Sequence, residues 1–206
     1  MKNLLLFLVL SLSMIGFAQK SKAKLVPKNV VLTSVDNISA EVISEKTGNR
    51  VVLFVKKEGK VDTLEVKKID KIDFKSTNFT VKSFTTQGKK FYHVNWKEEI
   101  KVDTKLKNEK VEITEDQIWD TETKTLLLVN INKSFHIKET IFLDKNKTAS
   151  HDVEKNRNEG FEFTLNSDGS FNLKTKTQNN TYVYNIASSK YEIKTSPKTS
   201  GAKKKK

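Results

Sequence analysis

Cysteine is missing altogether from this 206-residue chain, and its two methionines both fall within the first fourteen positions. Without cysteine there is no disulfide, no thiol nucleophile, no zinc–thiolate or iron–sulfur centre, and no sulfur for a lipid anchor to acylate. Glycine is nearly as sparse. Seven residues, one of them Gly16 in the N-terminal apolar run, leave few places for glycine-rich loops that cradle phosphates or dinucleotides. No G-x-S-x-G, H-E-x-x-H, phosphate-binding or Rossmann pattern occurs. Arginine is confined to Arg50 and Arg157, although 38 Lys and Arg stand against 25 Asp and Glu for a formal charge of +13.

The N-terminus reads as an address. Met1-Lys2-Asn3 is a short basic head, Leu4 to Leu12 is a nearly unbroken apolar run, and Gly16-Phe17-Ala18 puts small residues at −3 and −1 of a cut before Gln19. Leu4 to Ala18 is 15 residues, short of the ~20 a helix needs to span a bilayer. The expectation is a signal peptide over 1–18 and export through the Sec pathway to the periplasm or beyond, not as a lipoprotein. Its removal takes one lysine and no acid, leaving 188 residues at +12.

Val, Ile and Thr supply 49 of those 188 residues and Ala only five. β-branched side chains fit a pleated surface while Ala favours helix. The chain therefore reads as all-β, in antiparallel hairpins or a meander closing as a barrel or sandwich. A polar lead-in over 19–28 ends at Lys28. Over 29–75, Ile38, Ala40 and Val42 alternate, Arg50 to Val55 is a strand, and Glu58-Gly59 turns tightly into Val61 to Val66. Ile69-Asp70-Lys71-Ile72-Asp73-Phe74 has the spacing of one helical turn before a last strand. This unit resembles a small Sm-like barrel, in which an I-x-x-I turn joins the last two of five strands; otherwise it is the opening hairpins of a larger sheet.

From residue 76 to 195 hairpin follows hairpin. Phe79 to Phe84 pairs across Gln87-Gly88 with Phe91 to Trp96, and Lys107-Asn108 is flanked by Glu99 to Asp103 and Glu109 to Ile113. Leu126 to Ile131 and Ser134 to Leu143 read as two strands, and Lys145 to Gly160 as a long polar loop. Phe161 to Leu165, then Asn166-Ser167-Asp168-Gly169, then Ser170 to Leu173 is the clearest hairpin, since Asp-Gly supplies the positive φ such turns require. With Tyr182 and Tyr184 behind it, this run resembles the closing strands of bacterial lipocalin-like domains. That resemblance implies a carrier of a small apolar ligand among Phe91, Trp96, Trp119, Phe161, Phe163 and Tyr184. Trp96 and Trp119 read equally as core anchors. The segment 196–206 is a polybasic tail of disordered composition.

Apparent chemical motifs dissolve on inspection. Ser150-His151-Asp152 spells a hydrolase triad, but neighbours in an extended chain point to opposite faces. Asp144-x-Asn146-x-Thr148 opens like a calcium loop, yet Ala149 stands where glycine and Lys155 where glutamate is needed. His93 and His136 have no carboxylate or second His at ligand spacing, so no metal and no cofactor is expected. An enzymatic reading would need a cleft with converging carboxylates or His93 beside an acid. Lysines mixed with acids on every strand describe a solvated sheet face, not a specific nucleic-acid surface, for which Arg is the usual bidentate partner. Lys203, Lys204, Lys205 and Lys206 suit peripheral contact with an anionic membrane, at roughly 1 kcal/mol per lysine. Asp62-Thr63-Leu64 matches the acceptor pattern for O-glycosylation in exported proteins of Bacteroidota, or Thr63 is a plain strand residue. With the Phe17-Ala18-Gln19 ending and the lysine-rich composition, the chain resembles small secreted β-rich proteins of that phylum.

The functional expectation is an exported, non-enzymatic binding module of the cell envelope, its partner an envelope protein or polysaccharide, with the apolar-ligand carrier as alternative. Deleting Lys203 to Lys206 should lower binding to anionic vesicles while leaving Tm unchanged, which co-sedimentation and thermal melts together check.

Overall fold

The protein is all-β. The computed structural model describes residues 29–45, 48–69 and 77–194; the leader and lead-in, most of the I-x-x-I segment and the lysine tail lie outside the described residues. Among the described residues thirteen strands form three open antiparallel sheets in simple sequence order. The N-terminal sheet holds β1 (Val30–Val35), β2 (Ile38–Glu45), β3 (Gly48–Lys57) and β4 (Lys60–Ile69). The central sheet holds β5 (Thr77–Thr86), β6 (Lys89–Asp103), β7 (Lys107–Asp120), β8 (Thr125–Phe142) and β9 (Ser150–Glu159). The C-terminal sheet holds β10 (Glu162–Leu165), β11 (Phe171–Lys174), β12 (Asn179–Asn185) and β13 (Lys190–Ile193).

Turn chemistry fixes the registers. Glu58-Gly59 and Gln87-Gly88 are two-residue turns with positive φ at both positions, between the pairs Lys57↔Lys60 and Thr86↔Lys89. That geometry twists in the same sense as the strands it joins. Side chains then alternate. On β6, Tyr92, Val94 and Trp96 join the core shared with the N-terminal sheet, where they meet Ala40, Leu53, Val55 and Leu64. Phe91, one position out of phase, joins the opposite core with Ile118, Phe171 and Tyr184. The central sheet is thus packed on both faces, and one core joins residues of the stretches 29–75 and 76–195.

Packing covers only part of the central sheet. Pairing of β6 with β7 runs without a break from Tyr92↔Trp119 to Asp103↔Asn108, but no core residue on β6 lies beyond Trp96. The remainder projects as a four-stranded ribbon of β6, β7, β8 and β9.

Three expectations need correction here. The β6–β7 turn is Thr104 to Leu106, not Lys107-Asn108, which already pair in β7. Leu126 to Leu143 is essentially one 18-residue strand, β8, rather than two. The supposed loop Lys145 to Gly160 contains β9, paired to β8 from Phe142↔Ser150 to Lys133↔Glu159. β9 carries no apolar alternation because it is an edge strand wet on both faces, so hydrophobic periodicity cannot reveal it.

Two glycines hold places that side chains cannot. Gly160, at φ +87°, turns the chain from the central to the C-terminal sheet, and a Cβ there would lie 2.1 Å from the carbonyl oxygen of Ile131. Gly169, at φ +79° in the Asp-Gly turn, sits where a Cβ would come within 2.5 Å of Thr86 Cβ. That turn therefore also docks the C-terminal sheet against the β5–β6 turn. Gly169→Val adds backbone strain to overpacking and should cost about 2–4 kcal/mol, read as a lowered midpoint in urea.

Candidate functional site

A polar network borders the apolar core between the N-terminal and central sheets. Lys67 of β4 pairs with Glu98 of β6 and lies 3.5 Å from Glu115 of β7. Gln117, only 2% exposed, donates from Nε2 to the Val66 carbonyl at 3.1 Å and to Glu115 at 3.0 Å. Its Oε1 accepts the Trp119 indole N–H at 2.8 Å, while Trp96 donates to Glu98 at 2.7 Å. Trp96 also stacks on Phe79, and the Lys67 ammonium stands 5.4 Å from its ring centre. Both tryptophans are structural anchors whose N–H groups are satisfied, as buried indoles require.

Across the central sheet lies an aromatic cluster. Phe171 packs between Phe163, Tyr182 and Tyr191, and Phe91 against Tyr184 and Tyr191. Burial pushes the Tyr191 phenol well above its ordinary range; its hydroxyl donates to the Gly169 carbonyl at 3.0 Å. The Tyr184 hydroxyl is buried and has no hydrogen-bond partner among the described residues. It adjoins a cleft of about 220 Å³ beside Thr86, Gln87, Asp168 and Ser170. Hydrogen bonds from Ser170 hold the Asp168 carboxyl below the usual carboxylate range.

Tertiary pairing supplies what sequence spacing did not. His93 Nε2 lies 2.9 Å from Asp116 Oδ1, which also accepts Asn95 Nδ2 at 2.8 Å. The imidazole packs 4.8 Å from the Phe163 ring. Asn95 and Asp116 face each other directly across β6 and β7. A buried acid amid polar neighbours has no distinctive sequence pattern, so nothing in the chain announced this pair. Among the described residues no hydroxyl is hydrogen-bonded to His93, and no group of three or more His, Asp or Glu is placed to hold a metal. The pair lines none of the clefts described here. Its evident work is to neutralise two polar groups beneath the C-terminal sheet.

The other predicted positions scatter. Of the six aromatics, Trp96 and Trp119 lie in the core shared with the N-terminal sheet, whereas Phe91, Phe161, Phe163 and Tyr184 lie in the core between the central and C-terminal sheets. A whole sheet separates them, so no one cavity is lined by all six. Thr63 is exposed on β4, beside Asp62, which accepts Lys124 at 2.7 Å. Ser150, His151 and Asp152 lie on β9, with Asp152 accepting the Thr140 hydroxyl. Asp144 takes the backbone N–H groups of Thr148 and Ala149, which lower its pKa, and closes an ordinary turn. Lys203 to Lys206 lie outside the described residues.

The feature that sequence reading missed is the projecting ribbon, whose two faces differ. Residues opposite each other share a face. On the side continuous with Trp96 run the rows Ile100–Val111–Phe135–Arg157 and Val102–Glu109–Ile137–Lys155. Ile100 is 50% and Val102 43% exposed. Arg157 lies 4.4 Å over the Phe135 ring, with Glu159 at 3.1 Å. The other side is a charge ladder: Lys110 bridges Glu99 and Glu112, and His136 meets Asn156. At the tip a cleft of about 420 Å³ opens between Leu106, Thr140 and Asp152.

No protein-family model matches the chain, and neither a curated protein nor a solved structure matches it.

Gln117→Leu would strip the partners from the Trp119 N–H and the Val66 carbonyl. It should cost about 2–4 kcal/mol, each orphaned group contributing about 1–3. Equilibrium unfolding followed by tryptophan fluorescence measures it.

Proposed function

We propose that this chain is an exported, non-enzymatic binding module of the cell envelope, making its contacts through exposed sheet faces and edges. The observation that carries the reading is the uncovered apolar side of the ribbon. Past Trp96 the same face is interrupted by Glu98 and then carries Ile100, Val102, Phe135 and Ile137, over which no layer packs among the described residues, with Val111 buried between them. An apolar sheet face left open to water forgoes roughly 25 cal/mol per Å² that a partner would recover. Ion pairs Lys107–Glu109, Lys155–Glu139 and Arg157–Glu159 lie on the same face, so the charges set among its apolar residues are largely self-neutralised. The opposite charged face keeps the ribbon soluble.

Photo-crosslinking in the producing cell tests this. A benzophenone-bearing phenylalanine analogue at Ile100 should give discrete adducts, and the same group at Lys101, on the other face, should not. Equal labelling from both positions, or none from Ile100, overturns the reading.

A further inference from the structure

We propose that the free edge of β4 accepts one more strand, an extended acidic peptide segment of a partner whose alternate residues are apolar. The inference rests on the binding-module reading and locates a second contact of that module. Four strands of the N-terminal sheet lie over five of the central sheet. β1 runs against β5, and β4 runs over β7, fixed there by Lys67–Glu115 and Gln117–Val66 and, at the turn after β7, by Lys124–Asp62. With strands about 4.8 Å apart, the next place in the N-terminal sheet falls over β8, where the described residues supply no strand.

The floor of that place is apolar. Leu126, Val129 and Ile131 of β8 pair with Trp119, Gln117 and Glu115 of β7, so they share the face that looks toward the N-terminal sheet. They are 40%, 48% and 44% exposed, although their β7 partners are buried. The wall is the outer edge of β4, ten residues long and the last strand of its sheet, interrupted at Val66, where the ladder bulges and the carbonyl is already taken by Gln117. A strand edge offers a row of unpaired N–H and C=O groups, and an extended peptide that pairs with it directs alternate side chains to one face. Other edges lack this combination. β10 and β13 have four residues each, and β9 is polar along its exposed length.

Charge selects the occupant. Lys60 and Lys68 of β4 and Lys133 of β8 form no ion pair among the described residues, against two unpaired acids, Glu58 and Glu122, in the adjoining turns, while Asp62 and Glu65 are engaged by Lys124 and Arg50. The uncompensated charge around the edge is positive, on a chain of +13. That favours an acidic strand and disfavours a second copy of this chain.

The probe is a fluorescent ten-residue peptide alternating valine with glutamate, titrated into the full chain by anisotropy. Saturable binding is expected, weakened at least tenfold by Ile131→Lys or Val129→Lys, both at exposed sites where circular dichroism should report an unchanged fold. N-methylation of one alternate set of peptide nitrogens should abolish binding, and methylation of the other set should change it less than threefold, because only one peptide edge meets β4. Lysine in place of glutamate should abolish it too. Equal binding by both methylated peptides, unchanged binding by the lysine peptide, or no effect of Ile131→Lys overturns the proposal. So does a sedimenting dimer that Ile131→Lys dissociates, which would make the occupant a second copy. Loss of the proposal with crosslinks at Ile100 intact would leave the binding-module reading standing.

Discussion

Everything in this molecule hangs on the central sheet having no wet face along the first half of β6 and the second half of β7. Phe91, Tyr92, Val94 and Trp96 bury in both directions, as do Ile118 and Trp119. A strand buried on both sides is stable only between two layers. The N-terminal and C-terminal sheets are therefore requirements of one another's fold, even though they never form a common sheet. Each four-stranded meander buries its inward face on a surface the central sheet must hide.

Polar residues make that stacking specific. Apolar faces alone would tolerate sliding, whereas the Lys67–Glu98–Glu115–Gln117 network and the two indole N–H groups are satisfied in one alignment of β4 over β7. At the other end of the same interface the Tyr92 hydroxyl donates toward Asp36 and Asn37, and Lys90 pairs with Asp36. On the opposite face His93, Asp116 and Asn95 play the corresponding part. Partly satisfied networks are costly in a low dielectric, so alignments that break them are excluded.

That alignment has a consequence for function. With β4 set over β7, neither β8 nor the distal halves of β6 and β7 receive cover from the N-terminal sheet. The uncovered surface is then a direct result of which strands are long. β8 has 18 residues where β3 and β4 have ten. Long strands extend a single layer whose one side sets exposed apolar residues among paired charges and whose other side is a charge ladder.

Local residue pattern determined the all-β class, the tight turns at Glu58-Gly59, Gln87-Gly88 and Asp168-Gly169, and the inward faces of Ile38 to Val42 and Phe161 to Leu165. Positive φ and two-residue periodicity are properties of adjacent positions, so the chain states them directly. Edge strands such as β9 were illegible because both faces are wet. The His93–Asp116 contact was illegible because it depends on register across 23 residues. Which aromatics share a core, and which apolar faces stay open, were decided only when three sheets stacked. Burial is a relation between layers, and a strand's alternation names a face without naming what covers it.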